Sequence, residues 1–223
     1  YNMSEYDYKL KLILCGESNV GKSTFFNHLK FTSFQKNITI FPNILSMPTT
    51  PTVGVDFLTL NEKYNNYNIK LHIWDTAGDE RFRSVISSYF KDISACIIIF
   101  DLTNIKSLES LPYWCSIANT YSTCEHKHPI FLFGNKSDLG YNKHLIDETI
   151  INKFIKENNI FHYQSISSVD ESFNNTGFIH LLIDTILNKK YTTQCRGIST
   201  KESENYITLK DNVQKKKKCC TIS

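Results

Sequence analysis

Short apolar runs alternate with amphipathic stretches along most of the chain, and this alternation is typical of a parallel sheet covered by helices. Six runs predict strands, at residues 10–15, 55–60, 69–74, 95–100, 130–134 and 161–166. Four amphipathic segments predict helices, at residues 22–29, 107–120, 147–157 and 177–187. The runs at 96–100 and 130–133 are continuously apolar, as expected of central strands buried on both faces. The expected fold is an α/β domain with a six-stranded, mostly parallel sheet and helices on both faces.

The periodicity is lost near residue 188, and the chain after it has a different composition. Residues 189–218 are rich in Lys, Thr, Ser, Asn and Gln, which is typical of a flexible linker. At 223 residues the chain is long enough for one domain and a tail, which we place at 8–188 and 189–223. No apolar run approaches the roughly 20 residues that cross a bilayer, and the first residues lack a secretory signal. We therefore expect a protein that is neither secreted nor membrane-spanning.

Composition narrows the functional class only a little. A hydrophobic share of 41% and a charged share of 21% favour a soluble globular domain. The net charge of +3 is too small to predict a nucleic-acid partner. The seven cysteines are expected to be buried thiols or modification sites, not disulfides. Cys124, His126 and His128 offer metal-binding atoms without a partner cluster, so a solvated loop is expected there.

A glycine-rich segment after the first predicted strand carries the first candidate chemistry. Residues 16–23, G-E-S-N-V-G-K-S, match the phosphate-loop pattern G-x-x-x-x-G-K-[ST], and a predicted helix follows. Backbone N–H groups of such a loop and the positive end of the helix surround an anion. Lys22 then reaches the terminal phosphates, and the Ser23 hydroxyl is offered to Mg²⁺. The predicted nucleotide contacts in this segment are Ser18, Asn19, Val20, Gly21, Lys22, Ser23 and Thr24.

A carboxylate lies at the end of the third predicted strand. Asp75 begins the sequence D-T-A-G, a position from which a carboxylate holds Mg²⁺ through water. Gly78 has no side chain, so its N–H can approach a γ-phosphate closely. The pattern is weak alone, but its place after a phosphate loop predicts that both segments form one site.

Base recognition is predicted from the sequence N-K-S-D at residues 135–138, directly after a buried strand. The Asp138 carboxylate can accept hydrogen bonds from N1 and the amino group of guanine, whereas adenine would leave it unpaired. Lys136 can lay its aliphatic stem along the base. Together with Asn135, these residues favour a guanine nucleotide and disfavour a P-loop ATPase or kinase.

With these motifs in this order, the chain resembles the small GTPases of the Ras superfamily, and the Rab family in particular. The Rab-like stretches are V-G-V-D-F at 53–57, K-L-H-I-W-D at 70–75, E-R-F-R-S at 80–84, S-Y-F-K at 88–91 and F-D-L-T-N at 100–104. The resemblance implies the three-layer P-loop small-GTPase fold for residues 8–188. It also implies GTP or GDP as ligand, Mg²⁺ as cofactor and a monomeric protein that binds no nucleic acid.

Several residue roles follow from the resemblance alone. Thr52 corresponds to the first-switch threonine, which contacts Mg²⁺ and the γ-phosphate only in the triphosphate state. The implied metal set is therefore Ser23, Thr52 and Asp75. The implied catalytic set is Lys22, Thr52, Gly78 and Asp79. The aromatic triad through which Rabs present their switches to effectors corresponds to Phe57, Trp74 and Tyr89, with plain core packing as the alternative.

The chain departs from the family at three places. Asp79 stands where Rabs usually carry Gln after D-T-A-G. An ionised carboxylate only accepts hydrogen bonds, and it adds negative charge beside the γ-phosphate. Slow GTP hydrolysis is therefore expected. The fifth guanine-contact motif, usually S-A-K, is degenerate, and its backbone contacts are assigned to Ser165, Ile166 and Ser167. The segment 31–51 is about ten residues longer than expected; it is either an effector surface of this chain alone or a tolerated loop expansion.

The final residues predict a membrane anchor. Four lysines at 215–218 precede Cys219 and Cys220, a combination typical of prenylated, reversibly bound proteins. The resemblance then implies a Rab-type switch on the cytoplasmic face of an endomembrane (Golgi, ER or endosomal) that cycles through the cytosol. Its implied partners are an exchange factor, a GTPase-activating protein, a Rab escort or GDI-type chaperone, and effectors. The alternative is a hydrolysis-deficient GTP-binding module that marks a membrane.

Overall fold

A computed structural model describes residues 6–34, 52–120, 128–140, 146–170, 173, 175–187 and 198–200. The strands are β1 (Tyr8–Cys15), β2 (Val55–Tyr64), β3 (Tyr67–Thr76), β4 (Ala95–Asp101), β5 (Ile130–Asn135), β6 (His162–Ser165) and β7 (Ile198–Thr200). The α-helices are α1 (Lys22–Phe34), α2 (Arg83–Ser87), α3 (Ile105–Glu109), α4 (Leu111–Thr120), α5 (Glu148–Glu157) and α6 (Asn175–Leu187). Short 3₁₀ turns cover Glu80–Phe82, Ser88–Phe90 and Ser137–Leu139.

The main sheet has six strands in the order β2-β3-β1-β4-β5-β6. Only the β2–β3 pair within it is antiparallel, so the expected mostly parallel sheet with helices on both faces is confirmed. Because β1, β3, β4 and β5 run in the same direction, their carboxyl ends meet along one edge. That edge carries the phosphate loop, the D-T-A-G segment and the N-K-S-D segment.

The core lies on both faces of the sheet. Alternate residues of β4 face opposite sides: Ile97 packs with α1 and α6, whereas Ile98 packs with α4. This two-sided burial explains the continuously apolar sequence of β4 and β5. Phe25, Phe133 and Phe178 form mutual ring contacts between α1, the sheet and α6, with centroids 5.0 to 6.1 Å apart. Helices α1 and α6 are therefore packed tightly against the sheet whose edge carries the site.

The helix predicted at 107–120 is divided in the structure. Helix α3 ends at Glu109 and α4 begins at Leu111, with Ser110 between them. Pro112 lies in the first turn of α4 and has no N–H to donate to a carbonyl one turn earlier, so a single continuous helix is disfavoured. The helix predicted at 22–29 extends instead to Phe34. The first part of the long segment 31–51 is therefore helical, and residues 35–51 lie outside the described residues.

Three further differences concern segments outside the predicted elements. The short turns and helix between Glu80 and Phe90 were not predicted, because three to five residues are too few to show a helical period. Strand β7, inside the predicted linker, pairs antiparallel with Tyr8–Leu10 of β1. His128 is 3% exposed, so the predicted solvated loop is wrong there, and burial lowers its pKa to about 4.

In the described part of the chain, no helix is long and apolar enough to cross a bilayer.

Candidate functional site

The phosphate loop occupies residues 16–21, between the end of β1 and the start of α1. Asn19 and Gly21 both adopt positive φ, at 63° and 95°, which turns the chain sharply into the helix. A Cβ on Gly21 would also collide with the side-chain amide of Asn135. The glycine of the motif is therefore required by both conformation and space. Thr24 follows Lys22 and Ser23 in the first turn of α1.

Lys22 is a buried amine at the base of this loop. Its side chain is 5% exposed, and Nζ donates to the backbone carbonyl of Glu17 over 2.7 Å. Burial lowers the pKa of Lys22, and the negative charge of Asp75 opposes that shift. A Cβ on Gly78 would touch Lys22 Nζ and the backbone of Glu17, so Gly78 keeps the space beside the amine open. Lys22 and Gly78 therefore border a small open space beside the lysine amine, the Lys22–Gly78 gap. The positive charge of the amine suits this gap to an anionic oxygen.

The three predicted metal-site residues converge on one another. Ser23 Oγ donates to Asp75 Oδ2 over 2.6 Å and lies 2.7 Å from Thr52 Oγ1. Thr52 Oγ1 lies 3.4 Å from the same carboxylate oxygen. Asp75 is 1% exposed, and burial raises its pKa despite the hydrogen bond from Ser23. Among the described residues, its other oxygen, Oδ1, has no hydrogen-bond partner. A buried carboxylate and two hydroxyls form an oxygen-donor set that fits Mg²⁺.

A cleft of about 160 Å³ opens over this convergence. The phosphate loop, including Ser18 and Asn19, forms one side, and Thr52, Gly78 and Asp79 form part of the other. Lys22 and Ser23 lie in the same cleft. The structure thus brings together the predicted phosphate-binding, metal-binding and catalytic residues at the carboxyl edge of the sheet. Val20, which also belongs to the loop, is buried, with 1% of its surface exposed.

Asp79 forms an ion pair that the sequence analysis did not predict. Its Oδ1 accepts from the backbone N–H of Arg81 over 2.9 Å, and its Oδ2 accepts from Nη2 over 2.6 Å. The hydrogen bonds from Arg81 lower the pKa of Asp79 to about 2. The carboxylate is therefore ionised at neutral pH, and its negative charge is balanced by the neighbouring guanidinium.

The N-K-S-D segment is held by two networks. Asn135 is 2% exposed. Its side-chain NH₂ group donates to the backbone carbonyl of Val20 over 2.7 Å. Its Oδ1 accepts from the backbone N–H and from the hydroxyl of Ser168. Lys136 has positive φ, and its Nζ lies 2.6 Å from the Asp101 carboxylate at the end of β4. Asn135 therefore ties the phosphate loop to the segment after β6, and Asp101 fixes Lys136. Asp138 is exposed at the same edge.

The degenerate fifth motif lies beside this segment. Ile166 donates its N–H to the carbonyl of Gly134 over 2.8 Å, and its own carbonyl accepts from Ser137. Since the N–H of Ile166 is already engaged, the backbone of Ser167 is better placed for a ligand than that of Ile166. Ser165 is exposed, whereas Ser167 is buried, and its hydroxyl has no partner within the described part of the chain.

The three predicted effector-surface aromatics form one cluster. Trp74 lies between the other two rings, 4.7 Å from Phe57 and 5.3 Å from Tyr89, measured between centroids. Phe57 is 43% exposed, so the cluster reaches the surface, whereas Trp74 and Tyr89 also pack against the core. The remaining predicted site residues, Cys219 and Cys220, lie outside the described residues.

Sequence reasoning missed several residues that support the site. Arg83 of α2 pairs with the Glu17 carboxylate of the phosphate loop over 2.6 Å and stacks over Tyr113 at 4.3 Å. Asp101 could have been found from its place at the end of an apolar strand, the same signal that identified Asp75. Arg81 has a weaker signal, an opposite charge two residues after Asp79. Ser168 has no signal in the sequence because its role depends on tertiary contact with Asn135.

Comparisons with known proteins show the family of this chain. The model of the Ras family matches residues 11–188. The chain is 36% identical over 146 residues to the Ras-related protein Rab-19 of Homo sapiens, covering 64% of this chain and 60% of that protein. It therefore spans less than two thirds of that relative. It is 30% identical over 207 residues to the Ras-related protein RABA6b of Arabidopsis thaliana, covering 91% of this chain and 84% of that protein. It is also 30% identical over 227 residues to the GTP-binding protein YPTM1 of Zea mays, covering 98% and 99% of the two chains. The chain belongs to the Ras family, as a Rab-type small GTPase.

Proposed function

We propose that this protein is a switch that binds GTP or GDP with Mg²⁺ and hydrolyses GTP slowly. The convergence of Ser23, Thr52 and Asp75 beside the Lys22–Gly78 gap is the observation that carries the proposal. One part of the site has oxygen donors for a divalent cation, and the adjacent part has a buried amine for phosphate oxygens. Mg²⁺, when bound, would neutralise charge on the phosphates, with Ser23 and Thr52 as ligands and Asp75 acting through water.

Switching follows from two contacts that depend on the γ-phosphate. Thr52 lies on the segment before β2 and Gly78 on the segment after β3, and both residues line the cleft. A terminal phosphate gives both segments a shared partner, and its loss on hydrolysis removes that partner. The Phe57–Trp74–Tyr89 cluster lies on strands and turns adjoining these segments, so we infer that it presents the nucleotide state to effectors.

Hydrolysis is proposed to be slow because Asp79 occupies the position that orients the attacking water. An ionised carboxylate has no proton to donate, and both oxygens of Asp79 already accept from Arg81. Positioning that water is most of what a protein of this family contributes to the chemistry. An activating protein that supplies its own glutamine would bypass Asp79.

Replacing Asp79 with Gln should raise the intrinsic rate of GTP hydrolysis by roughly two orders of magnitude, the lower end of the effect of one preorganised hydrogen-bond donor in a transition state. Affinity for GTP and GDP should change little, because the effect arises in the transition state. Single-turnover assays of both proteins, with and without a GTPase-activating protein, measure this. If Asp79→Gln is no faster than wild type, the carboxylate does not handicap hydrolysis.

The same assay separates the switch from its alternative. A wild-type chain that hydrolyses GTP when an activating protein is added behaves as a cycling switch. A chain that stays loaded with GTP even then behaves as a hydrolysis-deficient module that marks a membrane. The exposed aromatic cluster suits either role, since both require an effector surface.

We further propose that the protein acts in vesicle traffic at the cytoplasmic face of an endomembrane (Golgi, ER or endosomal). Cys219 and Cys220, preceded by four lysines, supply the two signals that stable membrane residence requires. Cycling through the cytosol then needs a Rab escort or GDI-type chaperone to cover the prenyl groups, together with an exchange factor.

The double variant Cys219→Ser/Cys220→Ser is expected to be wholly cytosolic, because no lipid chain can be attached at either position. Fractionation of cells that express the tagged full-length chain tests this. The matched control is Cys195→Ser, which removes a cysteine upstream of the lysine run. Membrane retention of the double variant would contradict the proposed lipid anchor.

A further inference from the structure

Asp79 and Arg81 form a local ion pair with several hydrogen bonds. Oδ1 of Asp79 accepts from the Arg81 backbone N–H and Nε, both over 2.9 Å. Oδ2 accepts from Nε over 3.0 Å and from Nη2 over 2.6 Å. Every hydrogen bond of this carboxylate in the described structure therefore comes from one residue two positions along the chain.

Local backbone geometry holds the pair in place. Asp79 has an extended conformation and caps the 3₁₀ turn Glu80–Phe82, whose N-terminal N–H groups would otherwise lack acceptors. The guanidinium adds a planar fork that matches the carboxylate, and such bidentate pairs keep their geometry better than single contacts. Although the Arg81 side chain is 76% exposed, bidentate geometry is the case in which an exposed pair has a measurable effect.

The pair also borders the proposed phosphate site. Asp79 and Arg81 both line the cleft that holds Lys22, Ser23 and Gly78. An unpaired carboxylate at this position would face the negative charge of a γ-phosphate. A carboxylate bound by a guanidinium presents little net charge there.

We propose that Arg81 is a positioning residue that binds the Asp79 carboxylate, and thereby keeps its negative charge from opposing a bound γ-phosphate. The proposal rests on the proposed GTP-binding function and adds a determinant of the preference between GTP and GDP. Arg81 acts through Asp79 and does not itself contact the phosphate. Its removal should therefore matter only while residue 79 carries a charge.

A double-mutant cycle tests this. The four proteins are wild type, Arg81→Gln, Asp79→Asn and the double variant, and calorimetry gives the affinity for GDP and for a non-hydrolysable GTP analogue. Arg81→Gln should lower the ratio of triphosphate to diphosphate affinity by roughly threefold to tenfold, the scale of one unit charge a few ångströms away in water. The same substitution in the Asp79→Asn background should leave the ratio unchanged.

Two results would overturn the proposal. An equal loss in both backgrounds means that Arg81 contacts the phosphate directly, and no loss in either means that the pair has no role in nucleotide preference. Lys153→Gln is the matched control, since it removes the cation of an exposed pair with Glu157 on α5. If Arg81→Gln fails to fold, Arg81→Lys replaces it, with a smaller loss expected because the charge remains and the fork is lost.

A second readout does not involve nucleotide preference. In the GDP-bound protein, the carboxyl ¹³C signal of Asp79 reports its ionisation. Asp79 should titrate at a higher pH in Arg81→Gln than in wild type, because the substitution removes the side-chain hydrogen bonds that are the largest cause of its lowered pKa, whereas the backbone N–H at position 81 still donates. Equal titration in both proteins also overturns the proposal. Failure of wild type to bind GTP or GDP would instead contradict the proposed function, so the two failures are distinguishable.

Discussion

Replacing Lys22 with alanine is expected to lower affinity for both GTP and GDP by roughly two to three orders of magnitude. The amine is buried beside Gly78, and one backbone carbonyl accepts from it. In the proposed complex, phosphate oxygens would complete its hydrogen bonding, and truncating one partner of a buried charge pair costs roughly 2–5 kcal/mol. Because both nucleotides carry a β-phosphate, both should be affected. Isothermal titration calorimetry with Mg²⁺ measures the two affinities.

The control for this prediction is Lys30→Ala, which removes an exposed lysine from the same helix. That variant should bind both nucleotides as wild type does. Thermal unfolding of the nucleotide-free proteins checks that the loss of affinity is not a loss of fold. Wild-type affinity in a folded Lys22→Ala protein would mean that the glycine loop is only a structural turn.

Replacing Asp138 with asparagine is expected to change base preference from guanine to xanthine. A carboxylate accepts from N1 and the amino group of guanine, whereas the amide can donate to the carbonyl that xanthine carries in place of that amino group. A mismatch of this kind costs roughly 1–3 kcal/mol, so GTP affinity should fall about tenfold to hundredfold. XTP affinity should rise by a similar factor. Competition of XTP against labelled GDP measures the change.

Asp138 is exposed at the sheet edge, so the substitution should leave the stability of the fold unchanged. Glu148→Gln, an exposed carboxylate on α5, is the matched control and should keep guanine preference. An unchanged ratio of GTP to XTP affinity in Asp138→Asn would remove the basis for assigning guanine to this site.

Most of the elements that the sequence predicted have a clear apolar pattern. Strands β1 to β5 were found because their apolar residues are buried by packing on the sheet faces, whereas His162–Ser165 of β6 are half-buried or exposed. Helix α4 was predicted to be continuous with α3, because apolar periodicity alone does not weigh the effect of Pro112. Strand β7 was missed because its three residues pair with distant Tyr8–Leu10, and the local composition is that of a linker.

The candidate site shows the same division between local and tertiary information. Lys22, Ser23, Asp75 and Asn135 belong to motifs whose spacing specifies position, and the structure places all four at one edge of the sheet. The pairing of Arg81 with Asp79 depends on the extended backbone before the 3₁₀ turn, which the sequence did not predict. Ser168 reaches Asn135 only because β6 returns beside β5. The motifs therefore identified the residues that carry the chemistry. The residues that hold them in place are determined by tertiary contacts, which the motifs do not specify.

Competition binding by the wild-type protein tests most directly whether this cleft binds a guanine nucleotide. Labelled GDP is bound in the presence of Mg²⁺, and unlabelled GTP or ATP is then added over the same concentration range. GTP should displace the label at a one-to-one stoichiometry, whereas ATP at about a hundredfold excess should leave it bound, since Asp138 would be unpaired against adenine. Equal displacement by ATP, or no binding of labelled GDP, would contradict the account.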